Sequence, residues 1–247
     1  MKVLATYNIK GGVGKTATAV NLAYLAAAEG ARTLVWDLDP QGAASFYFRV
    51  KPKVKGGSEA LITGRRALDR AIKGTDYDNL DLIPADFSYR NMDLELGEAK
   101  KRTRRIDLLV RPLAKQYDYV FLDCPPSISL VSENVFRAAN ALVVPLIPTT
   151  LSMRTFDQLD AFLDEHPGRK KQQVLAFFSM VDNRKNLHRE LVEQVSQDRD
   201  EVLATRIPST SDIERMGVNR APLPTFAPRS RSAVAYRELW AEIQARL

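Results

Sequence analysis

Residues 10–16 read KGGVGKT and have the composition of a loop that binds phosphate groups. Its glycines let the backbone approach an anion closely, so that several N–H groups point at one spot. In such a loop Lys15 contacts the outer phosphates of a nucleotide, and the hydroxyl of Thr16 binds Mg²⁺. The residues expected around the phosphates are Gly11, Gly12, Val13, Gly14, Lys15, Thr16 and Ala17.

The loop departs from the usual phosphate-loop pattern at its start, where Ile9 occupies the position of the first glycine. Next to Ile9 stands a second lysine, Lys10, within the loop itself. An apolar, strand-forming segment precedes the loop and an alanine-rich, helix-forming segment follows it, which is the context that a phosphate loop requires. The motif alone assigns no role to Lys10.

Three aspartates follow apolar segments and have the chemistry to serve phosphate transfer. Asp123 ends the apolar run of YVFLDCPP, while Asp37 and Asp39 of DLDPQG are two positions apart and point the same way along a strand. In a phosphate-loop enzyme, strand-end acids hold the metal ion or orient the attacking water. The alternatives are a cap or turn residue for Asp123 and a charged loop mouth for Asp37 and Asp39.

The order of the segments predicts an α/β fold. Short apolar runs alternate with helical patterns, and the β-loop-α-β opening suits a parallel crossover unit. We expect a mostly parallel, twisted sheet flanked by helices on both faces, in a single domain spanning residues 1–247. The strand candidates are 2–7, 32–39, 80–85, 119–124, 141–146 and 174–181. The helix candidates are 16–30, 104–116, 131–139, 152–164 and 232–246.

The composition favours a soluble, cytoplasmic protein. The single cysteine, Cys124, excludes a disulfide framework, and with His166 and His188 far apart it offers no metal cluster of the usual spacing. We find no apolar segment of signal-peptide type and no apolar run long enough to span a membrane. Glycine, proline and charge cluster in 51–58 and 166–173, which we expect to be the most mobile segments.

Positive charge is unevenly distributed along the chain, whose net charge is +6. Residues 100–115 hold seven lysines and arginines against one acid, and residues 206–247 hold seven against four. Such surfaces attract polyanions, nucleic acid among them. The alternative for each segment is an ordinary solvated helix face.

Three motifs in this order, KGGVGKT, DLDPQG and FLDCPP, resemble those of the ParA/MinD family of deviant Walker A ATPases. The segments LDLIPA, RIPST and SAVAYRELWAEI also resemble parts of ParA proteins, so the resemblance covers nearly the whole chain. It implies a P-loop ATPase fold, with ATP and Mg²⁺ as cofactors. It also implies a slow intrinsic hydrolysis that a partner stimulates.

The resemblance gives Lys10 a role. In the family, the lysine at this position reaches across a nucleotide-sandwich homodimer to the partner's ATP phosphates. Asp39 matches the family's water-activating aspartate and Asp123 its Walker B acid, while Asn183 and Pro208 fall where relatives hold the adenine and ribose. The implied catalytic residues are Lys10, Lys15 and Asp39, and the expected metal ligands are Thr16, Asp37 and Asp123.

The chain departs from the family's pattern in three places. Ala43 stands where relatives often carry asparagine, so the polar contact that asparagine would make is in doubt. Residues 212–216 replace the usual Glu-Ala, so a dimer or adenine contact is in doubt. We expect no helix-turn-helix of the kind that the longer plasmid proteins carry before the first strand. We therefore expect any DNA binding to be independent of sequence.

The favoured function is that of a ParA-type positioning ATPase, associated with the nucleoid. Its ATP-bound dimer would bind DNA, and a ParB-like or cargo-adaptor partner would stimulate hydrolysis and release. The cargo stays open between plasmid or chromosome DNA and a protein assembly such as a carboxysome or chemoreceptor cluster. A segment at 100–105 is the second DNA candidate. The first candidate is the basic C-terminal face of Arg206, Arg215, Arg220, Arg229 and Arg231.

Two other classes of protein fit the sequence less well. A MinD-like membrane ATPase needs a basic amphipathic C-terminal helix, but the polar side of residues 236–247 mixes Glu238, Glu242 and Arg237, so we expect that helix to pack on the protein itself and no stable membrane insertion. A nitrogenase iron-protein relative needs more cysteines than one. A cobyrinate amidase is expected to carry a second catalytic domain, for which the length leaves no room.

Overall fold

The computed structural model describes residues 1–165 and 172–247, and this part of the chain contains one sheet of eight strands. The strands are β1 (Lys2–Thr6), β2 (Thr33–Asp37), β3 (Lys73–Gly74), β4 (Leu80–Ile83), β5 (Tyr119–Asp123), β6 (Ala141–Leu146), β7 (Gln173–Val181) and β8 (Val202–Pro208). Their order across the sheet is β3-β4-β2-β5-β1-β6-β7-β8. Neighbouring strands are parallel except β3 and β4, which confirms the predicted fold class.

The α-helices of the described ranges connect these strands. They are α1 (Lys15–Ala28), α2 (Ala43–Tyr47), α3 (Gly57–Ile62), α4 (Met92–Glu98), α5 (Arg105–Val110), α6 (Leu130–Ala138), α7 (Thr150–Glu165), α8 (Asn186–Asp198), α9 (Ser211–Asn219), α10 (Leu223–Phe226) and α11 (Arg231–Arg246). Three 3-10 turns add to them, at Leu68–Ala71, Phe87–Asn91 and Arg111–Lys115.

Helices cover both faces of the sheet, and its central strands contribute to two hydrophobic cores. In β1, Val3 and Ala5 point into one core, while Leu4 points into the other. Phe156 of α7 helps to fill the first core, and Trp240 of α11 helps to fill the second. Because both faces are buried, the strands are nearly continuous apolar runs, which is why the sequence revealed them.

All six predicted strands are present, with ends that shift by at most two residues. The strands β3 and β8 were not predicted. The predicted helix 104–116 is interrupted, because α5 ends at Val110 and a 3-10 turn follows. Pro112 lies near the start of that turn, where a residue without an N–H group ends regular α-helical bonding.

Hydrogen bonds join one of the two segments predicted to be mobile to the segment after β4. In 51–58 the backbone N–H of Val54 donates to Asp86 Oδ2 at 2.7 Å, and Ser58 N–H donates to Ser88 Oγ at 2.8 Å. The other segment, 166–173, lies for the most part outside the described residues.

The C-terminal helix α11 packs against the protein itself. Its residues Tyr236, Leu239, Trp240 and Ile243 are buried, and the Trp240 indole N–H donates to Glu29 Oε2 at 3.0 Å. The Trp240 ring also packs edge-on against Tyr119 of β5, with centroids 5.2 Å apart. The apolar side of this helix is therefore occupied. In the described part of the chain, no helix is long and apolar enough to cross a membrane.

Trp240→Ala is expected to lower the free energy of unfolding by about 3–5 kcal/mol, because it empties a large buried site and removes the bond to Glu29. Urea unfolding measures this change. The control on the same helix is Val234→Ala, whose side chain is 38% exposed and which should change stability by less than about 0.5 kcal/mol. Equal effects of the two variants would contradict the packing described for α11.

Candidate functional site

The phosphate loop leaves the carboxyl end of β1 and enters α1. Gly12 and Gly14 have φ angles of 72° and 96°, a region that favours glycine. A Cβ atom at Gly14 would also lie 3.1 Å from Ser179 Oγ of β7. The loop thus needs glycine for its backbone conformation and for its closeness to a neighbouring strand. Its N–H groups lie at the positive end of a long helix, where an anion is favoured.

Lys15 is held inside the loop, where it is 7% exposed. Its Nζ donates to the backbone carbonyl of Lys10 at 2.7 Å. Burial lowers the pKa of Lys15, and the charges of Asp123, Cys124 and Asp39 oppose this shift. The ammonium group therefore lies close to the predicted acids.

Lys10 differs from Lys15 in its surroundings. Its backbone N–H donates to Asn8 Oδ1 at 2.9 Å, and its side chain is partly exposed. Within the described residues, no acid forms an ion pair with Lys10. The backbone of Lys10 is fixed by the loop, while its ammonium group stays available.

Asp37 and Asp123 end two neighbouring strands and are aligned in the same register. Both are fully buried. Asp37 Oδ2 accepts bonds from the Ser45 N–H at 2.8 Å and the Ser45 hydroxyl at 2.7 Å, and Asp123 Oδ1 accepts a long bond of 3.4 Å from the Thr6 hydroxyl. The second oxygen of each carboxylate, Asp37 Oδ1 and Asp123 Oδ2, is buried and has no hydrogen-bond partner.

Burial of these two acids is unfavourable for their charged forms. It raises the pKa of Asp37 to about 6. It also raises the pKa of Asp123 well above its usual range; the charge of Asp37 adds to this rise, whereas the hydroxyl of Thr16 opposes it. Two orphaned carboxylate oxygens beside a hydroxyl are hard oxygen donors of the kind that Mg²⁺ prefers. Thr16, Asp37 and Asp123 therefore fit a divalent cation.

Asp39 lies at the mouth of the site and is partly exposed. Its Oδ1 accepts from the Gln41 N–H at 2.9 Å, and its carbonyl accepts from the Gly42 N–H at 2.9 Å. Gly42 has a φ of 68°, so the turn after Asp39 depends on glycine at this point. The charge of Asp39 acts on Lys15, Asp37 and Asp123, which groups it with the same cluster.

Asn183 and Pro208 lie together at the carboxyl ends of β7 and β8, where the Ser209 N–H donates to the Val181 carbonyl at 2.9 Å. Asn183 is exposed and its carbonyl accepts from Arg189 at 2.7 Å. Both residues thus lie at the carboxyl ends of their strands, as the phosphate loop does.

Ser45 is a site residue that the sequence analysis missed. It binds Asp37 with two groups, and its Oγ also accepts from the Ala85 N–H at 2.9 Å. Ser45 thereby joins the start of α2, the tip of β2 and the segment after β4. The one signal in the sequence is its position three residues after Gly42. That signal is weak, because serine is common near helix starts for local reasons alone.

The five C-terminal arginines predicted to bind DNA differ in their surroundings. Arg206 lies on β8, Arg215 on α9 and Arg231 at the start of α11. Arg220 already has partners, because its guanidinium lies 4.6 Å from the centre of the Phe46 ring and its Nε donates to the Phe46 carbonyl. Arg229 is exposed in the segment before α11. Their contact with DNA stays a prediction.

Asp123→Asn is expected to stabilise the protein in the absence of nucleotide and Mg²⁺, because the amide avoids the free-energy cost of burying or protonating a carboxyl group whose pKa is raised by burial and by the charge of Asp37. We expect the Tm to rise by about 2 °C or more, which corresponds to roughly 1 kcal/mol in a chain of this size. The same variant should lack any further rise in Tm that ATP and Mg²⁺ give to the wild-type protein. Differential scanning fluorimetry measures both effects.

The control for this variant is Asp118→Asn, which removes a carboxylate that is paired with Arg32 and partly exposed. It should not raise the Tm, and it should leave the response to ATP and Mg²⁺ intact. A fall in Tm for Asp123→Asn with no change for the control would show that the buried charge is not a source of instability.

Comparison with known proteins identifies the family. A family model described as an AAA domain matches residues 1–176. The chain is 31% identical over 249 residues to the sporulation initiation inhibitor protein Soj of Bacillus subtilis, with 99% of this chain and 98% of that protein covered. It is 30% identical to the chromosome partitioning protein ParA of Myxococcus xanthus, with 99% and 88% covered.

A solved structure adds to this result and corrects one expectation. A Mycobacterium smegmatis protein described as cobyrinic acid a,c-diamide synthase with bound ADP and magnesium has a TM-score of 0.84 and 27% identity, covering 100% of this chain and 95% of that chain. A chain of about this length thus carries that description, and the length argument against an amidase is wrong. With the motifs and the full-length similarity to Soj and ParA, the chain belongs to the ParA/Soj/MinD family of deviant Walker A ATPases.

Proposed function

We propose that this chain is a ParA-type ATPase that forms an ATP-dependent homodimer, binds DNA without sequence preference and positions a cargo by partner-stimulated hydrolysis. The observation that carries the proposal is the arrangement of two lysines on one loop. Lys15 is enclosed beside the acids, whereas the ammonium group of Lys10 is available to a group outside its own subunit. In an ordinary phosphate loop, a single lysine contacts the phosphates of the bound nucleotide.

In this proposal the loop from Gly11 to Ala17 surrounds the phosphates of ATP, and Lys15 neutralises their charge. Thr16, Asp37 and Asp123 hold Mg²⁺, which when bound would supply further positive charge at the phosphates. Ser45 orients the Asp37 carboxylate through its two hydrogen bonds.

Asp39 is proposed to orient the attacking water. The bond from Gln41 fixes one of its oxygens, and its partial exposure leaves the carboxylate accessible to solvent. Lys10 is proposed to contact the phosphates bound by the partner subunit, where water is excluded and a cation has a strong effect. Dimer formation would then depend on ATP.

Two observations favour this function over the alternatives. The apolar side of α11 is buried against α1 and β5, so it is not free to enter a membrane surface as a MinD-like helix would. Cys124, the one cysteine of the chain, is buried, and burial raises the pKa of its thiol well above the usual range. Such a thiol does not suit the nucleophile of a glutamine-dependent amidase.

The names of the two curated relatives, Soj and ParA, support a role in partitioning. We propose that the ATP dimer associates with the nucleoid in the cytoplasm through the C-terminal arginines and with a ParB-like or adaptor partner. The cargo is DNA or a protein assembly.

Lys10→Ala is expected to remain monomeric with ATP and Mg²⁺, because it removes the cation that is proposed to contact the partner's phosphates. Asp39→Ala should instead accumulate as an ATP-bound dimer, and its turnover should fall by about 100-fold or more. Size-exclusion chromatography with light scattering and a phosphate-release assay measure the two effects. A matched control is Lys2→Ala at the opposite end of β1, which should dimerise and turn over as the wild type does.

An Asp39→Ala protein with normal turnover would refute the role given to Asp39. A Lys10→Ala protein that dimerises normally with ATP would refute the role given to Lys10.

Binding to a duplex of arbitrary sequence is expected only with ATP and should weaken steeply as salt increases. Arg229→Gln with Arg231→Gln should weaken binding at least about tenfold and leave ATP turnover unchanged, since two cations that face phosphates are removed. Fluorescence anisotropy over a salt series with ATP, ADP or no nucleotide tests this. DNA affinity that is unchanged in the double variant would exclude these arginines, and no binding by the wild type in any nucleotide state would refute the DNA-binding function.

A further inference from the structure

A second basic surface lies beside the edge strand β3 of the sheet. It is a cleft of about 600 Å³ between the segment 50–56, the turn around Leu68–Ala71 and the edge strand β3. Its polar lining is cationic, and no acid contributes to it. The six cations are Lys51, Lys53, Lys55, Arg66, Arg70 and Lys73.

These cations are not neutralised by their neighbours. Residues 51–73 contain seven lysines and arginines and two acids, Glu59 and Asp69. Glu59 is paired with Arg65, which does not line the cleft. Across the described residues, none of the six lining cations takes part in an ion pair. Lys53 lies near Asp86, and the other five cations concentrate positive charge that no ion pair compensates.

One of the six also has a nitrogen without a hydrogen-bond partner inside the protein. Arg66 Nε is buried and unpaired, while another nitrogen of the same guanidinium donates to the Arg70 carbonyl. A buried donor without a partner is unfavourable unless a ligand or water completes it. Arg66 thus keeps one donor that no group within the described residues satisfies.

The simplest alternative to a ligand site is that these cations protect the edge of the sheet, because lysines on an edge strand prevent pairing with another sheet. It accounts for Lys73, which is the only one of the six on β3. The other five come from the segment after α2 and from the turn before β3, and converge on the same cleft. Edge protection does not require this convergence.

The cleft lies near the turn that follows Asp39 and, through the neighbouring Arg49, near the end of α9. A Cβ atom at Gly42, in the turn after Asp39, would lie 3.4 Å from Pro52, between Lys51 and Lys53. On the other side, Arg49 donates to the carbonyls of Asn219 and Arg220, at 3.1 Å each. The lysine segment thus touches the turn that carries Asp39 and continues toward Arg220.

We propose that this cleft binds the phosphate backbone of duplex DNA, along a surface that runs from the edge strand β3 past Arg49 toward Arg220. The proposal rests on the proposed DNA-binding function and adds a binding surface to it. Exposed lysines on flexible stems suit phosphates, whose contacts carry no sequence information. Continuity with Arg220 favours an extended polyanion over a small phosphorylated ligand. The contact between Pro52 and Gly42 would make this part of the DNA surface sensitive to the nucleotide state.

The test is the triple variant Lys51→Gln, Lys55→Gln and Lys73→Gln, which removes three exposed, unpaired charges and leaves Lys53 beside Asp86. With ATP, its affinity for a duplex of arbitrary sequence should fall at least about tenfold at about 100 mM salt. The slope of log affinity against log salt should decrease by about three, or about one for each lysine that no longer neutralises a phosphate. ATP turnover without DNA and ATP-dependent dimerisation should match those of the wild type.

The matched control is Lys2→Gln, Lys115→Gln and Arg246→Gln, which removes the same charge from exposed positions at the opposite end of the strands. It should keep the wild-type salt slope. If the wild type binds DNA but the two triple variants show the same salt slope, the cleft does not touch DNA and only this inference fails. If the wild type does not bind DNA, the proposed function itself fails.

Inorganic tripolyphosphate distinguishes a small-anion site from a DNA-binding surface. Under the proposal, tripolyphosphate competes with DNA only weakly, and the triple variant binds DNA more weakly than the wild type. If that variant no longer binds tripolyphosphate tightly but keeps wild-type affinity for DNA, the proposal is overturned in favour of a site for a small phosphorylated ligand.

Discussion

The structure depends on two buried carboxyl groups whose hydrogen-bonding capacity the protein alone does not satisfy. Asp37 and Asp123 meet at the tips of neighbouring strands, fully buried, each with one oxygen that has no partner. Such a pair is unfavourable in isolation and becomes favourable when cations approach it. Lys15 supplies one cation, and the remaining oxygens are free for a metal ion. The arrangement therefore favours the approach of a cation to these oxygens.

The order of the strands explains how one sheet serves several contacts. The central strands β2, β5 and β1 bring the acids and the phosphate loop together, because the carboxyl ends of parallel strands meet at one edge. The strands β7 and β8 lie to one side and bring Asn183 and Pro208 to the same edge. The opposite side ends in β3, where the basic cleft lies. The turn from Asp39 to Gly42 lies between the centre and that cleft.

The sequence predicted the fold well, and it indicated the loop and the acids that the structure brings to the strand tips, because both depend on short-range patterns. Buried parallel strands are continuous apolar runs, and the loop from Gly11 to Thr16 is a contiguous motif. The strand β8 was missed because it is an edge strand with only part of its residues buried, which weakens its apolar signal. Ser45 and the cleft were missed because they depend on contacts between segments far apart in the chain, such as that of Ser45 with Ala85.

The bond between Lys15 Nζ and the Lys10 carbonyl has a consequence for cooperativity. The carbonyl of Lys10 is bonded to Lys15 of its own subunit. In the proposed dimer, the side chain of Lys10 is directed toward the partner's nucleotide. A ligand that draws Lys15 away from this carbonyl changes the restraint on Lys10. By thermodynamic linkage, closing the dimer must then alter each subunit's affinity for its own nucleotide by the same factor. The two sites of such a dimer are not independent, and nucleotide binding to it is expected to deviate from a simple hyperbola.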